Sequence, residues 1–87
     1  MLLSTEQDTI YTFGIQDKTG KWHYLTTRYK LYPVQLREAH YADKKTTEES
    51  ASFIMQHIDS DAFIFDSACI FELTIKAMPF NFKRNIK

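Results

Sequence analysis

Residues 10–27 read Ile-Tyr-Thr-Phe-Gly-Ile-Gln-Asp-Lys-Thr-Gly-Lys-Trp-His-Tyr-Leu-Thr-Thr, and this stretch decides the fold. Two runs rich in β-branched and aromatic residues flank a short segment that ends in glycine, a pattern typical of a β-hairpin. With residues 18–20 as a three-residue loop, Lys18 and Thr19 form a type I turn and Gly20 takes the left-handed position. Asp17 suits the first position of this turn, because its carboxylate can accept hydrogen bonds from backbone N–H groups two residues on.

This turn predicts the pairing of the two strands. The register has three central cross-strand pairs, which are Ile15 with His23, Phe13 with Leu25, and Gly14 with Tyr24. Side chains alternate between the faces of a strand, so Phe13, Ile15 and Leu25 share one apolar face that we expect to form the core. Trp22 and Tyr24 lie on the other face, either as cross-strand packing or as an exposed contact platform. A slip of one residue would exchange the two faces.

The bulk composition describes one small domain. The chain has 87 residues, with 11 basic residues balancing 11 acidic ones, so its net charge favours neither nucleic acid nor a membrane surface. A lone Cys69 forms no internal disulfide, which favours a reducing compartment. Met1-Leu2-Leu3 is followed at once by the polar stretch 4–8, which does not resemble a signal peptide. No apolar run approaches the ~20 residues of a membrane span. We therefore expect a single domain over residues 1–87, cytoplasmic in location, with flexible ends at 1–9 and 79–87.

A helix follows a less regular connection. Residues 28–37 contain Pro33 and are expected to cross the sheet edge or one face, and residues 38–43 form a candidate short third strand. Thr46 and Glu49 have the spacing of a capping box, which predicts the start of a helix of about three turns that ends near Asp59. The apolar residues of this helix recur with helical spacing and form one stripe: Ala51, Ile54, Met55 and Ile58.

The last strand shows clear alternation. Residues 63–65 are a short apolar run, residues 66–68 are a predicted turn, and residues 69–77 form a strand. One side of that strand is apolar and is expected to face the helix stripe: Cys69, Phe71, Leu73, Ile75 and Ala77. The predicted fold class is α+β, in the order ββ(β)αβ, with an antiparallel sheet of three or four strands and one helix packed on one face.

Several of these features together resemble a known class of proteins. They are the Asp17-Lys18-Thr19-Gly20 turn, the ending Tyr24-Leu25-Thr26, and the run Leu36-Arg37-Glu38-Ala39 before a capped helix containing Ala51-Ser52-Phe53-Ile54. The pattern, over residues 10–77, is similar to small accessory proteins encoded by bacteriophages of Gram-positive bacteria. Some phage proteins of this size block host defences by binding a host protein, as anti-CRISPR proteins do. The resemblance implies that class of role and supplies no functional residues.

The sequence offers few residues for catalysis or metal binding. The three His residues and Cys69 lack the short ligand spacings of zinc sites. The alternation predicts that Cys69 is buried as a small hydrophobic residue, and a nucleophilic cysteine needs access to solvent. Gly14 and Gly20 are both used by the hairpin, so no glycine-rich phosphate loop remains. We expect no enzyme, no metal and no cofactor.

Two binding hypotheses remain. A basic segment with interleaved aromatic residues, together with Lys83, Arg84 and Lys87 in the tail, favours a small nucleic-acid-binding module. Exposed aromatic and arginine residues near the hairpin instead favour protein binding, or a homodimer through the uncovered sheet face. A third interpretation is that residues 28–37 fold back over Trp22 and Tyr24 and hide them. The candidate partner-binding residues are Trp22, Tyr24, Arg28, Tyr29, Lys30, Tyr32 and Arg37.

The leading hypothesis is a non-enzymatic phage-type accessory protein that binds a host protein as an inhibitor of a bacterial defence system. Such a protein would act in the cytoplasm of the host bacterium. The alternative is the nucleic-acid-binding module, whose affinity would weaken steeply with salt because neutralised phosphates release counterions.

Overall fold

The computed structural model describes residues 6–77, which form a four-stranded antiparallel sheet with one α-helix on a single face. The strands are β1 (Glu6–Asp17), β2 (Trp22–Thr27), β3 (Lys30–Tyr32) and β4 (Phe63–Ala77), and the helix is α1 (Lys44–His57). Their order in the sheet is β3-β2-β1-β4. The predicted α+β class and the ββ(β)αβ order are confirmed. Strand β1 begins at Glu6, within the stretch 1–9 that was expected to be flexible.

The β1–β2 hairpin has the predicted turn and register. Gly20 has a φ of 90° and donates its N–H to the carbonyl of Asp17 at 2.9 Å. Hydrogen bonds from the Thr19 hydroxyl and the His23 ring hold the pKa of the Asp17 carboxyl well below its usual range. Its carboxylate also accepts from the N–H groups of Lys21 and Thr19, which lower the pKa further. The pairs between β1 and β2 are Gly14 with Tyr24, Ile15 with His23 and Gln16 with Trp22, which include two of the three predicted pairs but not Phe13 with Leu25. The local chemistry of the turn therefore sets the pairing of the two strands.

The third strand is β3, and the strand predicted at residues 38–43 is wrong. Leu36–Glu38 forms a 3-10 helix, and only Ala42 makes a bridge, to Tyr11 of β1. The His40 N–H donates to the carbonyl of Leu25 in β2 at 2.6 Å. Residues 40–42 thus lie where β1 and β2 diverge. There they form hydrogen bonds with the backbone groups of Tyr11 and Leu25, which are no longer paired between β1 and β2.

Helix α1 begins two residues before the predicted capping threonine. Asp43 is the N-cap and its carboxylate accepts from the Thr46 N–H at 2.7 Å, a bond that lowers the Asp43 pKa. Glu49 belongs to no capping box here, since its carboxylate accepts from the Arg28 guanidinium at 2.8 Å. The helix has 14 residues, about four turns, so the predicted length is slightly short.

The core lies between the helix and one face of the sheet. Phe13, Ile15, Leu25 and Ile54 are buried together, with Ala51, Met55 and Ile58 packed against them. The predicted core face of the hairpin and the predicted helix stripe are both confirmed. The Thr47 hydroxyl also donates to the carbonyl of Tyr11 at 3.1 Å, which ties the start of the helix to β1.

Strand β4 differs from its prediction in extent and in orientation. The run 63–65, the expected turn 66–68 and the strand 69–77 are one continuous strand. Its register against β1 shifts between Gly14, which pairs with Cys69, and Gln16, which pairs with Ile64. Over this interval β1 advances by two residues and β4 by five, so β4 bulges. Ser67 bridges the bulge, since its Oγ accepts from the Gln16 N–H and donates to the carbonyl of Ile64.

Candidate protein-binding surface

The sheet face opposite the helix carries an apolar surface. Cross-strand partners lie on the same face of a sheet, and Gly14 is paired with Tyr24 on one side and Cys69 on the other. By alternation, every second residue of β1, β2 and β4 joins them there, and Tyr32 of β3 pairs with Tyr24. We call this surface the open sheet face and define it by eight residues: Ile10, Trp22, Tyr24, Tyr32, Cys69, Phe71, Leu73 and Ile75.

This placement corrects the predicted orientation of β4. Phe71 pairs with Thr12, Leu73 with Ile10 and Ile75 with Asp8, all on the face away from α1. The prediction that they face the helix stripe is therefore wrong. Cys69 is exposed, so its predicted burial is also wrong. Ala77 was predicted on the same side, and only its backbone pairing with Glu6 is described.

An aromatic cluster is built around Gly14. The Tyr24 ring lies over this glycine, and a Cβ built on Gly14 would stand 2.7 Å from Tyr24 Cδ1 and 3.0 Å from Phe71 Cε2. Trp22 stacks on Tyr24 with 5.9 Å between ring centroids, and Phe71 meets both rings edge to face. Tyr24 is buried, which raises the pKa of its phenol, and nearby Cys69 and Tyr41 add to the rise.

The cluster is flanked by exposed side chains. Tyr32 is 51% exposed at the β3 side, and Leu73 and Ile75 are 40% and 46% exposed along β4. Trp22 and Phe71 are half-buried between them. The Trp22 and Tyr24 rings contact each other and Phe71, and Tyr32, from the segment 28–37, is the cross-strand partner of Tyr24. The open sheet face therefore has a buried aromatic centre that is surrounded by exposed apolar side chains.

The remaining predicted site residues are spread over the β2–β3 turn, β3 and the 3-10 helix. Arg28 and Tyr29 are at the β2–β3 turn and reach α1, where Arg28 pairs with Glu49 and the Tyr29 ring lies 4.8 Å from Phe53. Lys30 is exposed in β3 and precedes Tyr32 by two residues, so alternation places it on the same face as Tyr32. Arg37 is exposed in the 3-10 helix. The structure therefore brings Trp22, Tyr24 and Tyr32 together on the open sheet face and places Arg28 and Tyr29 on the helix side.

A shallow groove lies on the helix side. It has a volume of about 280 Å³ and its lining includes Tyr29, Phe53, His57 and Phe63. Phe53 stacks obliquely on His57 at 4.3 Å between centroids, and the His57 Nδ1 lies 2.8 Å from the Phe53 carbonyl oxygen. We call this the helix-side groove.

The histidines and Cys69 are placed apart from one another. His23 Nε2 lies 2.8 Å from Asp17 Oδ2 at the hairpin turn, whereas His57 bonds its own helix. Over residues 6–77, no group of three His, Cys, Asp or Glu side chains has the arrangement of a metal site. Burial raises the pKa of the Cys69 thiol even though the residue as a whole is exposed, so the reactive thiolate is less populated at neutral pH.

No helix in the described part of the chain is both long and apolar enough to cross a membrane. The basic tail residues Lys83, Arg84 and Lys87 lie outside the described residues.

Sequence reasoning missed the contribution of β4 to this surface. Phe71, Leu73 and Ile75 were assigned to the core because their alternation is apolar. The length of the strand in the structure gives a physical reason why the helix does not cover all of these residues. A strand of 15 residues rises about 50 Å, whereas a helix of 14 residues spans about 21 Å. Much of such a strand extends beyond the helix, so its apolar residues cannot all be covered by it.

In comparisons with known proteins, no protein-family model, no curated protein and no solved structure matches this chain.

Proposed function

We propose that this chain is a non-enzymatic binding protein whose open sheet face docks onto another protein. The observation that carries the proposal is the exposure of Tyr32, Leu73 and Ile75 around a buried aromatic cluster, on the sheet face opposite α1. An antiparallel sheet whose second face is solvated normally presents polar residues there. An apolar surface in that position is typical of a protein interaction site.

The composition of the surface fits protein recognition. Tryptophan and tyrosine are enriched at binding hot spots, and a rigid cluster loses little side-chain entropy when it is bound. The stacking of Trp22 on Tyr24 and the edge contacts of Phe71 hold the centre of the surface in one arrangement. Tyr24 itself is buried, so it supports its neighbours, while Trp22, Tyr32 and Leu73 provide the contact area.

The resemblance to phage accessory proteins supports a more specific version of this proposal. In that version the partner is a host protein, the location is the bacterial cytoplasm, and binding inhibits a defence system in the manner of an anti-CRISPR protein. The open sheet face then acts by occupying a surface that the host protein needs for its own activity.

The nucleic-acid hypothesis has less support in the geometry. It requires cations beside an aromatic stacking platform. Arg28 and Tyr29 contact α1, on the opposite side of the sheet from Trp22 and Tyr24, and Arg28 forms an ion pair with Glu49 at 2.8 Å. Of the candidate residues in β3, Lys30 is the cation that alternation places on the aromatic face. The side chains of that ion pair are half-exposed, so the pair is weak and solvent-screened.

An affinity capture from bacterial lysate tests the proposal. The full chain is the bait, and bound material is identified by mass spectrometry with and without nuclease. A double variant, Tyr32→Thr with Leu73→Thr, removes exposed apolar area from the open sheet face and keeps strand propensity. Phe53→Ser is the matched control, because Phe53 is similarly exposed at 42% but lies on the helix side. Circular dichroism verifies that every variant is folded.

The expected result is a stoichiometric protein that survives nuclease, is lost with the double variant and is retained with Phe53→Ser. Loss of the captured material after nuclease would favour the nucleic-acid-binding module instead. A protein that the double variant retains and Phe53→Ser loses would move the binding site to the helix-side groove and contradict the proposal.

A further inference from the structure

Strand β4 leaves a long edge of the sheet unpaired within the described residues. It has 15 residues, lies at the end of the strand order, and pairs with β1 along its inner edge. Exposed edges are usually protected by lysine, proline or an inward-pointing charge. Residues 67–75 contain no proline, and Glu72 is the only charged residue among them. This edge therefore presents backbone groups ready to pair with another strand.

The direction of those backbone groups follows from Tyr11. Its N–H donates to the Ala42 carbonyl and its own carbonyl accepts from the Ala42 N–H, at 2.8 and 2.9 Å, so both groups point away from β4. Tyr11 pairs with Glu72, and this pair is consequently of the non-hydrogen-bonded type. The N–H and C=O of Glu72 then point outward from the sheet, and by alternation those of Ile70 and Thr74 do so too.

We propose that a second copy of this chain pairs antiparallel with β4 along this edge, about a two-fold axis at Thr74. The Thr74 N–H of each copy then donates to the Thr74 carbonyl of the other. Leu73 lies opposite Ile75 of the second copy, so the open sheet faces of the two copies join into one apolar surface. The two sheets become a single sheet of eight strands.

Charge selects this register over its neighbours. Centred on Thr74, the pairing puts acidic residue 72 opposite basic residue 76 of the second copy, twice by symmetry. A centre at residue 72 would put Glu72 opposite itself, and like charges in direct opposition are destabilising. Centres at residues 70, 71 and 73 pair Glu72 with Ala68, Ile70 and Thr74, which are uncharged. Of the registers centred at residues 70 to 74, the one centred at Thr74 is therefore the register that forms two pairs of opposite charge.

The ribbon at this end of the sheet needs further support. Beyond Tyr11, the described part of β1 pairs on one side alone, with residues 73–77 of β4. Two-stranded ribbons are marginally stable in water, and this one exposes Leu73 and Ile75. Pairing of β4 with a second copy makes the ribbon four-stranded, with β4 in its interior.

The first test is the mass of the full chain in solution, by sedimentation equilibrium over a micromolar concentration series. We expect a dimer at twice the 10.3 kDa of one chain. Thr74→Pro removes an outward N–H, which an edge strand tolerates in the monomer, and should give a folded monomer. Thr74→Val keeps the N–H and is the matched control that should remain dimeric. A monomer for the unmodified chain at every concentration would overturn the proposal, as would a dimer that Thr74→Pro leaves intact.

The second test is a charge exchange between residues 72 and 76. It distinguishes the Thr74-centred register from pairing of the two β4 edges in any other register. Glu72→Lys alone and Lys76→Glu alone each replace two attractions by two repulsions, and each should raise the dimer dissociation constant roughly tenfold. The double exchange, Glu72→Lys with Lys76→Glu, should restore it to near the original value. Absence of this rescue would rule out the Thr74-centred register.

Discussion

At the scale of single residues, Gly14 decides how the open sheet face is built. It is in a β-strand and needs no left-handed conformation, so the requirement for glycine here is one of space. The Tyr24 ring occupies the volume that a side chain would take, with Phe71 beside it. The glycine thereby allows Tyr24 to lie flat against the sheet and to support Trp22 by stacking.

Gly14→Ala should therefore destabilise the fold by roughly 1–3 kcal/mol, the usual cost of overpacking a tight site. Urea unfolding measures the loss. The same substitution in a Tyr24→Leu background is the control, because a side chain without the ring leaves room for the new methyl group. We expect the two changes to be strongly non-additive. A Gly14→Ala variant as stable as the original would mean that the ring does not lie over this position.

At the scale of elements, the bulge in β4 sets which of its residues face the helix. Ser67 holds the bulge through two hydrogen bonds of 2.7 and 2.6 Å, one to the Gln16 N–H and one to the Ile64 carbonyl. Before the bulge, Phe63 packs on His23 on the helix side. After it, Phe71 and the alternate residues that follow lie on the open sheet face.

Ser67→Ala should cost about 1–3 kcal/mol in the free energy of unfolding, since it leaves a partly buried N–H of Gln16 without its acceptor. Ser52→Ala, at an exposed helical position, is the matched control and should be close to neutral or slightly stabilising. If both variants unfold at the same denaturant concentration, the Ser67 bonds do not stabilise the bulge.

These elements also show what the sequence could and could not predict. The hairpin was predictable because the chemistry of its turn is local: Asp17 and Gly20 fix the loop, and the loop fixes the register of Gly14 and Tyr24. The helix stripe was predictable from its period. The face of β4 depends on pairing with β1 across more than 50 residues of sequence, and a bulge changes its phase. Nothing local to residues 69–77 carries that information.

The start of the helix was missed by a smaller margin. Asp43 and Thr46 are both good capping residues, and the sequence pattern favoured Thr46 because Glu49 follows at the right spacing. The structure uses Asp43, and Glu49 turns to Arg28 instead. The choice of N-cap depends on the position of the residues that precede the helix. Here Ala42 is fixed by its bridge to Tyr11 of β1, directly before Asp43.

At the scale of the whole molecule, the sheet has two unequal sides. One side is covered by α1 and contains Phe13, Ile15 and Leu25. The other carries an aromatic cluster with exposed aliphatic residues along β4. This asymmetry underlies both proposals, because the open sheet face provides the surface for another protein and the β4 edge provides the pairing site for a second copy.

Both proposals depend on the orientation of β4, and the side chain of Cys69 reports that orientation. As the only cysteine of the chain, it pairs with Gly14 on the open sheet face and is exposed. The measurement is the rate at which a small thiol reagent modifies Cys69 in the native protein, compared with the rate in denaturant. It is made at mildly alkaline pH because burial raises the pKa of the thiol. Our account predicts modification of the folded chain without prior unfolding, at a rate unchanged by low concentrations of urea. Modification that occurs only as the protein unfolds would place Cys69 against the helix and contradict the account.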